Sequence, residues 1–314
     1  MKDLLRTQDL SRPDIELLLE TAADFATNPL RSSTALANKS VAIFMTKPST
    51  RTRLSSETAV AHLGGTPIFI RGDELQLGRG ESISDTAKII SGYCSALIIR
   101  TFAQSDVDEL GECASIPVIN ALTDDDHPTQ LLADWLTIRE HFGKNIDGRK
   151  FVYLGDGNNM SNAWLVMGAI MGAHVVAATP AGRWAPDPLV VEIAKKIAAK
   201  SGGKIEVLHD PEAAAKDASV LYTDVWMSMG DSVDERDEKV LALSPFAVTE
   251  NLMSLTQKDS VFMHCLPAHR GEEVEASVID GTKSLIWREA YHRRTTIQSL
   301  LYHLVRGDLK GSSQ

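Results

Sequence analysis

Cysteine is scarce in this 314-residue chain: Cys94, Cys113 and Cys265 are an odd number at wide spacing. That excludes a disulfide framework and a metal-knuckle pattern. Positive charge is also in deficit, with 32 Lys and Arg against 42 Asp and Glu and a formal charge of −10. A surface of that sign repels polyanions, which excludes nucleic acid and anionic membrane as general partners. A small anion can still bind where the minority cations gather. Long apolar runs are missing: the most apolar window, Ala163–Ala178, contains His174 and several glycines and is too short to span a bilayer. Met1–Leu10 is polar and lacks the apolar core of a secretion signal, so a cytoplasmic location is expected. There is no Walker loop, no repeat of solenoid period and no low-complexity tract.

What is present is ordinary globular material, 43% apolar and 24% charged. At roughly 150 residues per domain the length favours two domains. Helical and strand patterns alternate throughout, which predicts an α/β architecture with mainly parallel sheets. Ser11, Pro13 and Asp14 read as the cap and first turn of a helix that carries Ile15, Leu18, Leu19 and Ala22 inward. Strands are expected at Val41–Phe44, Pro67–Ile70, Ala96–Ile99 and Pro117–Asn120. A second series is expected at Lys150–Leu154, His174–Ala178, Lys204–Leu208, Ser219–Thr223 and Ser260–Met263. The polar connection Gly143–Gly148 is the expected boundary between the two series.

Ser49-Thr50-Arg51-Thr52-Arg53 joins an expected strand to an expected helix. The N–H groups at a helix start are unpaired and carry partial positive charge. Lys47, Arg51 and Arg53 are therefore unfavourable there in an isolated helix. A dianion at that terminus reverses the sign. The hydroxyls of Ser49, Thr50 and Thr52 donate at short range, and arginine grips two phosphate oxygens with a planar fork. The alternative is a solvated basic turn with a capping hydroxyl. Gly155-Asp156-Gly157-Asn158-Asn159-Met160 supplies two glycines of a dinucleotide fingerprint. Met160 stands at the third, and the next strand ends at Ala178-Thr179 without a ribose-binding acid, which argues against NAD. Asn158 and Asn159 serve either a polar ligand or the turn itself.

His127-Pro128-Thr129-Gln130 opens a helix behind Asp124-Asp125-Asp126, so His127 and Gln130 share one face. They can hold the carbonyl and amide ends of a small substrate. Arg100 follows the strand Ala96–Ile99, where open α/β sheets place ligand groups. His264-Cys265-Leu266-Pro267 ends another strand, and Cys265 is either a reactive thiol or a small buried residue. Asp224-Val225-Trp226-Met227-Ser228-Met229-Gly230 offers a carboxylate suited to a substrate amino group, or forms a solvated polar loop.

Taken in order, these five motifs resemble the aspartate/ornithine carbamoyltransferase family over nearly the entire chain. S-T-R-T-R and H-P-x-Q are shared by the wider family. Asp224 with Ser228-Met229-Gly230, and His264-Cys265-Leu266-Pro267, resemble its ornithine branch, since an aspartate enzyme is expected to show H-P-L-P. The resemblance implies two doubly wound α/β domains with mainly parallel sheets. A carbamoyl phosphate-binding domain would cover 1–142 and an amino-acid (ornithine)-binding domain 143–288. A last helix, about 289–314, would cross back to the first.

The implied reaction transfers the carbamoyl group from carbamoyl phosphate to the δ-amine of L-ornithine, giving L-citrulline and phosphate, with no metal or other cofactor. By resemblance Ser49, Thr50, Arg51 and Thr52 hold the phosphate, and Arg100, His127 and Gln130 hold the carbonyl and amide. The backbone at Cys265 and Leu266 completes that pocket, and Arg293 adds a phosphate-side cation. Gln76 lies on a loop that the family lends to a neighbouring subunit, which implies a homotrimer or a multiple of trimers. Asn159, Asp224, Ser228 and Met229 hold ornithine. The implied catalytic set is Arg51, Arg100, His127, Asp224 and Cys265, with Asp224, Cys265 and the departing phosphate as alternative proton acceptors. Four features depart from the ornithine branch and bear on the acceptor more than on the donor. Thr129 replaces the cysteine of H-P-C-Q, Met45-Thr46-Lys47 replaces Phe-Glu-Lys, His292 replaces asparagine and Asp231 replaces glutamine. The alternatives are a carbamoyltransferase for another amine, such as putrescine or another diamino acid, and a non-catalytic homologue that binds phosphate metabolites.

Overall fold

The computed structural model describes residues 1–74, 80–146, 148–227 and 233–312. It divides into two compact units, Met1–Leu136 with Tyr291–Gln314, and Thr137–Ala290.

The first unit holds four parallel strands, β1 (Ser40–Met45), β2 (Thr66–Arg71), β3 (Ala96–Arg100) and β4 (Val118–Leu122), in the order β2-β1-β3-β4. Its helices are α1 (Arg12–Thr27), α2 (Thr50–His62), α3 (Ile83–Tyr93), α4 (Gln104–Cys113) and the start of α5 (Pro128–Phe142). A capping box starts α1: the Asp14 N–H donates to Ser11 Oγ at 3.2 Å and Asp14 accepts from the Ser11 N–H at 3.3 Å. Ile15, Leu18, Leu19, Ala22 and Phe25 are all buried on one face, as the spacing predicts. Leu18→Ala would cost about 2–5 kcal/mol there. The last helix, α12 (Ile286–Arg306), supplies Ser299, whose hydroxyl donates to Leu18 O at 2.8 Å, and Tyr302, edge-on to Phe25. The C-terminal helix thus packs on the N-terminal one within this unit.

The second unit is a five-stranded parallel sheet: β5 (Lys150–Leu154), β6 (His174–Ala178), β7 (Lys204–Leu208), β8 (Val220–Thr223) and β9 (Val261–His264), in the order β7-β6-β5-β8-β9. Its helices are α6 (Asn159–Met171), α7 (Pro188–Ser201), α8 (Pro211–Ala215), α9 (Arg236–Leu243), α10 (Glu250–Ser254) and α11 (Ala276–Ile279). Val152, Leu154, Val176, Leu221 and Phe262 from the strands pack with Phe246, Val248, Val274 and Ile279. Strands β5, β6, β8 and β9 are buried on both faces, hence their mainly apolar runs, while the edge strand β7 is half-buried.

Both sheets are doubly wound, and each reverses its strand order once, between β1 and β3 and between β5 and β8. Ligands of open α/β sheets bind beyond the strand C-termini at such points. Among the described residues no helix is long and apolar enough to cross a membrane.

Candidate active site

At the reversal in the first unit, the loops leaving β1 and β3 run side by side, with the Thr46 N–H donating to Arg100 O at 3.0 Å. A register shift between Ile99 and Arg100 interrupts the β3–β4 pairing there, the kind of irregularity that re-aims a side chain. Ser49 caps α2, its Oγ accepting from the Thr52 N–H at 3.2 Å. The first turns of α2 bury hydroxyls rather than an apolar stripe: Thr52, Ser55 and Ser56 point inward. Arg293, 2% exposed, donates to Thr52 Oγ1 at 3.3 Å and to Gln130 Oε1, while Gln130 Nε2 donates to Asp134 Oδ1 at 2.8 Å. His127 is buried beside them. Its burial, followed by the charges of Arg293, Arg100 and Arg51, holds its imidazole well below the usual histidine range, so the ring is neutral at physiological pH. Three guanidinium groups converge on one neutral imidazole. Positive charge gathered in this way suits an anion.

Asp126 anchors this histidine from behind. Its carboxylate accepts from Thr7 N at 2.6 Å, Thr7 Oγ1 at 2.7 Å and His127 N at 2.7 Å. Burial outweighs those donors and pushes its carboxyl up to about 6. Thr129, the departure from H-P-C-Q, turns its hydroxyl to His127 Nδ1 at 3.4 Å.

Two of the cations grouped by sequence beside Arg51 go elsewhere. Arg53 stacks on Phe69 at 3.8 Å from the ring centroid and pairs with Glu57. Lys47 is buried against Asp124 and lies over the Phe102 ring. Ser49 and Thr50 also line a cavity of about 910 Å³ together with Arg53 and Phe69.

At the reversal in the second unit, the loops after β5 and β8 meet through Asn158 Nδ2, which donates to Asp224 Oδ2 at 3.0 Å. Asp224 Oδ1 accepts from Val225 N at 2.8 Å and from Cys265 Sγ at 2.9 Å. Asp224 is buried, all its partners are neutral donors, and among the described residues no cation pairs with it. A buried carboxylate of this kind is costly to leave without a cation and suits a substrate ammonium. Asn158 also caps α6 through Met160 N and Ser161 N and accepts from Tyr153 Oη at 3.1 Å. Burial, then Asp224, Asp156 and Cys265, pushes the Tyr153 phenol well above its usual range, so it stays a donor. Asp156, by contrast, is neutralised by Lys239 at 2.7 Å.

The two glycines of Gly155-Asp156-Gly157 have a local use. A side chain at Gly157 would lie 2.2 Å from the carbonyl carbon of Ala185, so the close approach that glycine permits is taken by the chain's own backbone. Asp224, His264 and Cys265 offer ligand atoms within 4.8 Å of one another, as do His269, Glu272 and Glu273. In the first group both ring nitrogens of His264 are already hydrogen-bonded, to Leu266 N and to Glu273.

Family models match both halves of the chain: the aspartate/ornithine carbamoyltransferase carbamoyl-P binding domain over residues 2–140, and the Asp/Orn binding domain over 147–304. The chain belongs to the aspartate/ornithine carbamoyltransferase family. Among its relatives, an ornithine carbamoyltransferase of Pyrococcus horikoshii is 46% identical over 311 residues, covering 98% of this chain and 96% of that one. The solved structure of ornithine carbamoyltransferase from Pyrococcus furiosus superposes with a TM-score of 0.92 at 45% identity over 98% of both chains. An anabolic ornithine carbamoyltransferase structure from Campylobacter jejuni gives 0.92 at 36% identity over 98% of this chain and 100% of that one.

Of the residues expected to form the carbamoyltransferase site, Thr52, Gln130, His127, Arg100, Arg51 and Arg293 come together in the first unit. Asp224 and Cys265 come together in the second, and Asn159 begins α6 directly after Asn158, which donates to Asp224. Gln76, Ser228 and Met229 lie outside the described residues. Sequence reasoning missed Asp126 as the anchor of His127, Tyr153 and the Lys239–Asp156 pair. Only the first had a local signal, an acid directly before the H-P-x-Q motif.

Proposed function

We propose that the chain transfers the carbamoyl group of carbamoyl phosphate to the δ-amine of L-ornithine, giving L-citrulline and phosphate. The observation that carries this is the convergence of Arg51, Arg100 and Arg293 on neutral His127 at a strand-order reversal. Such a pocket fits a small dianion with a carbonyl attached. Arginine forks hold phosphate oxygens in two-point contacts, and the same charges stabilise the negative charge that builds as phosphate leaves. Arg100 can donate to the carbonyl oxygen, while neutral His127 and Gln130 can donate to the carbonyl or accept from the amide.

The ornithine nitrogen attacks the carbonyl carbon, forming the new C–N bond. The C–O bond to phosphate then breaks, its electron pair leaves on phosphate, and the nitrogen gives up a proton to the departing phosphate or to the Cys265–Asp224 pair. Holding both substrates in attack geometry contributes about 7–11 kcal/mol relative to a bimolecular encounter. The attacking amine must first be neutral, and its pKa near ~10.4 leaves fewer than about one in a thousand reactive at pH 7. Asp224, which no cation pairs with among the described residues, orients the amino acid, and Cys265 is hydrogen-bonded to it where it can relay a proton.

The same proposal includes ornithine contacts from Asn159, Ser228 and Met229, a homotrimer or multiple of trimers with the Gln76 loop shared between subunits, and a cytoplasmic location. Light scattering tests the assembly. For the reaction, purified protein is mixed with carbamoyl phosphate and each of ornithine, putrescine and other diamino acids, and the product is identified by mass. Citrulline as the dominant product supports the proposal. Tight binding without turnover, or preference for another amine, overturns it.

A further inference from the structure

We propose that Glu273 is a positioning residue for the Cys265–Leu266 turn, acting through the imidazole of His264. This rests on the functional reading above, in which that turn belongs to the substrate site. His264 ends β9, and its Nδ1 accepts from the Leu266 N–H at 2.8 Å, bridging over Cys265. Leu266 has φ +59°, a left-handed conformation that leucine rarely adopts, so the turn needs an external hold. The His264 N–H donates to Glu289 Oε2 at 3.1 Å. Cys265 therefore sits between two pinned residues, its Sγ 2.9 Å from Asp224 Oδ1.

The pinning depends on one tautomer. Because the Leu266 N–H points at Nδ1, the ring hydrogen resides on Nε2, which faces Glu273 Oε1 at 3.4 Å. Glu273 is fully buried, and the same Oε1 accepts from the His269 N–H. Its backbone is fixed by Val248, whose N–H donates to Glu273 O at 2.9 Å and whose carbonyl accepts from Glu275 N at 3.0 Å. A leucine or methionine would fill this space without the desolvation cost of a carboxylate. What neither supplies is an acceptor for Nε2–H. Without one, the ring hydrogen can move to Nδ1, where it opposes the Leu266 N–H, and the turn relaxes away from Asp224.

Three proteins decide the matter: the wild type, Glu273→Met and Glu273→Gln, assayed with saturating carbamoyl phosphate and varied ornithine, with unfolding followed in parallel. Glu273→Met is expected to lower kcat/KM for ornithine about tenfold or more, whereas Glu273→Gln, whose carbonyl still accepts the N–H, should recover to within about threefold of wild type. Equal losses in both variants, or no loss in Glu273→Met, overturn the proposal. Nitrogen-15 NMR of histidine-labelled wild type, with His264 identified by its loss in His264→Asn, should show a protonated Nε2 and a bare Nδ1. An Nδ1–H tautomer or an imidazolium overturns the proposal even if Glu273→Met does not fold. A wild type that carbamoylates no ornithine overturns the functional reading and this role with it, a result distinct from an active wild type with an unaffected variant.

Discussion

In the first unit Arg51 from the start of α2, Arg100 from the end of β3 and Arg293 from α12 bring their charges to bear on His127. In the second, Asp224 after β8 is buried among Asn158 from the loop after β5, Cys265 after β9 and a backbone N–H, with no cation paired to it among the described residues. The plan is the same, a parallel sheet read at its reversal point, and the electrostatic sign is opposite. Among the described residues Asp224 is not neutralised as a structural ion pair would be. Elsewhere in the chain comparable groups are: Lys239 covers Asp156, and Lys47 is matched by Asp124. The contrast suits the first unit to an anionic substrate group and the second to a cationic one.

Removing the negative side should have the largest effect on turnover. Asp224→Asn keeps the shape and deletes the charge, and truncating one member of a buried charge pair costs about 2–5 kcal/mol. A drop of about a hundredfold or more in kcat/KM for ornithine is expected, with carbamoyl phosphate affinity by calorimetry unchanged. If both substrates suffered equally, the division of charge between the units would not be a division of labour. Turnover should also rise between neutral and mildly alkaline pH, by up to about tenfold per unit, as the amine loses its proton. His127 contributes no titration to that limb, because burial and three arginines keep it neutral throughout. A flat profile with chemistry rate-limiting would remove amine deprotonation from the mechanism. Cys265→Ala takes one donor from a charged acceptor, worth about 1.5–3 kcal/mol, and should reduce ornithine turnover roughly tenfold or somewhat more.

A further expected effect is on stability rather than turnover and concerns the anchor of His127. Asp126 titrates near about 6 when folded, against 3.8 for an unperturbed aspartate. Between these values the unfolded chain has released the proton and the folded protein still holds it. Stability from this group is therefore lost as pH rises from 4 to 6, by roughly 2–3 kcal/mol. Asp126→Asn, which cannot ionise, should gain stability relative to wild type across that window in denaturant unfolding. A pH-independent difference would show that Asp126 is not held protonated.

Much of this was legible beforehand. Strands such as Lys150–Leu154 and His174–Ala178 announce themselves because double-sided burial demands unbroken apolar runs. The Ser11 cap and the Ile15, Leu18, Leu19 spacing fix α1 for the same reason of local pattern. The candidate sites were legible in part, since S-T-R-T-R and H-P-x-Q are short and contiguous. What was not legible depends on partners far along the chain. Arg53 looks equivalent to Arg51 until Phe69 draws it away. The acidic run Asp124–Asp126 looks uniform until Lys47 takes its first member and Thr7 its last. Glu273 has no local signal at all, because its role comes from a histidine nine residues upstream.

The most direct test is a calorimetric titration of carbamoyl phosphate into wild type and Arg51→Ala. Deleting one charged fork should weaken binding about a hundredfold or more, at roughly 1.4 kcal/mol per factor of ten. Undiminished affinity in Arg51→Ala would contradict the central claim that the guanidinium groups around His127 are there to hold the donor's phosphate.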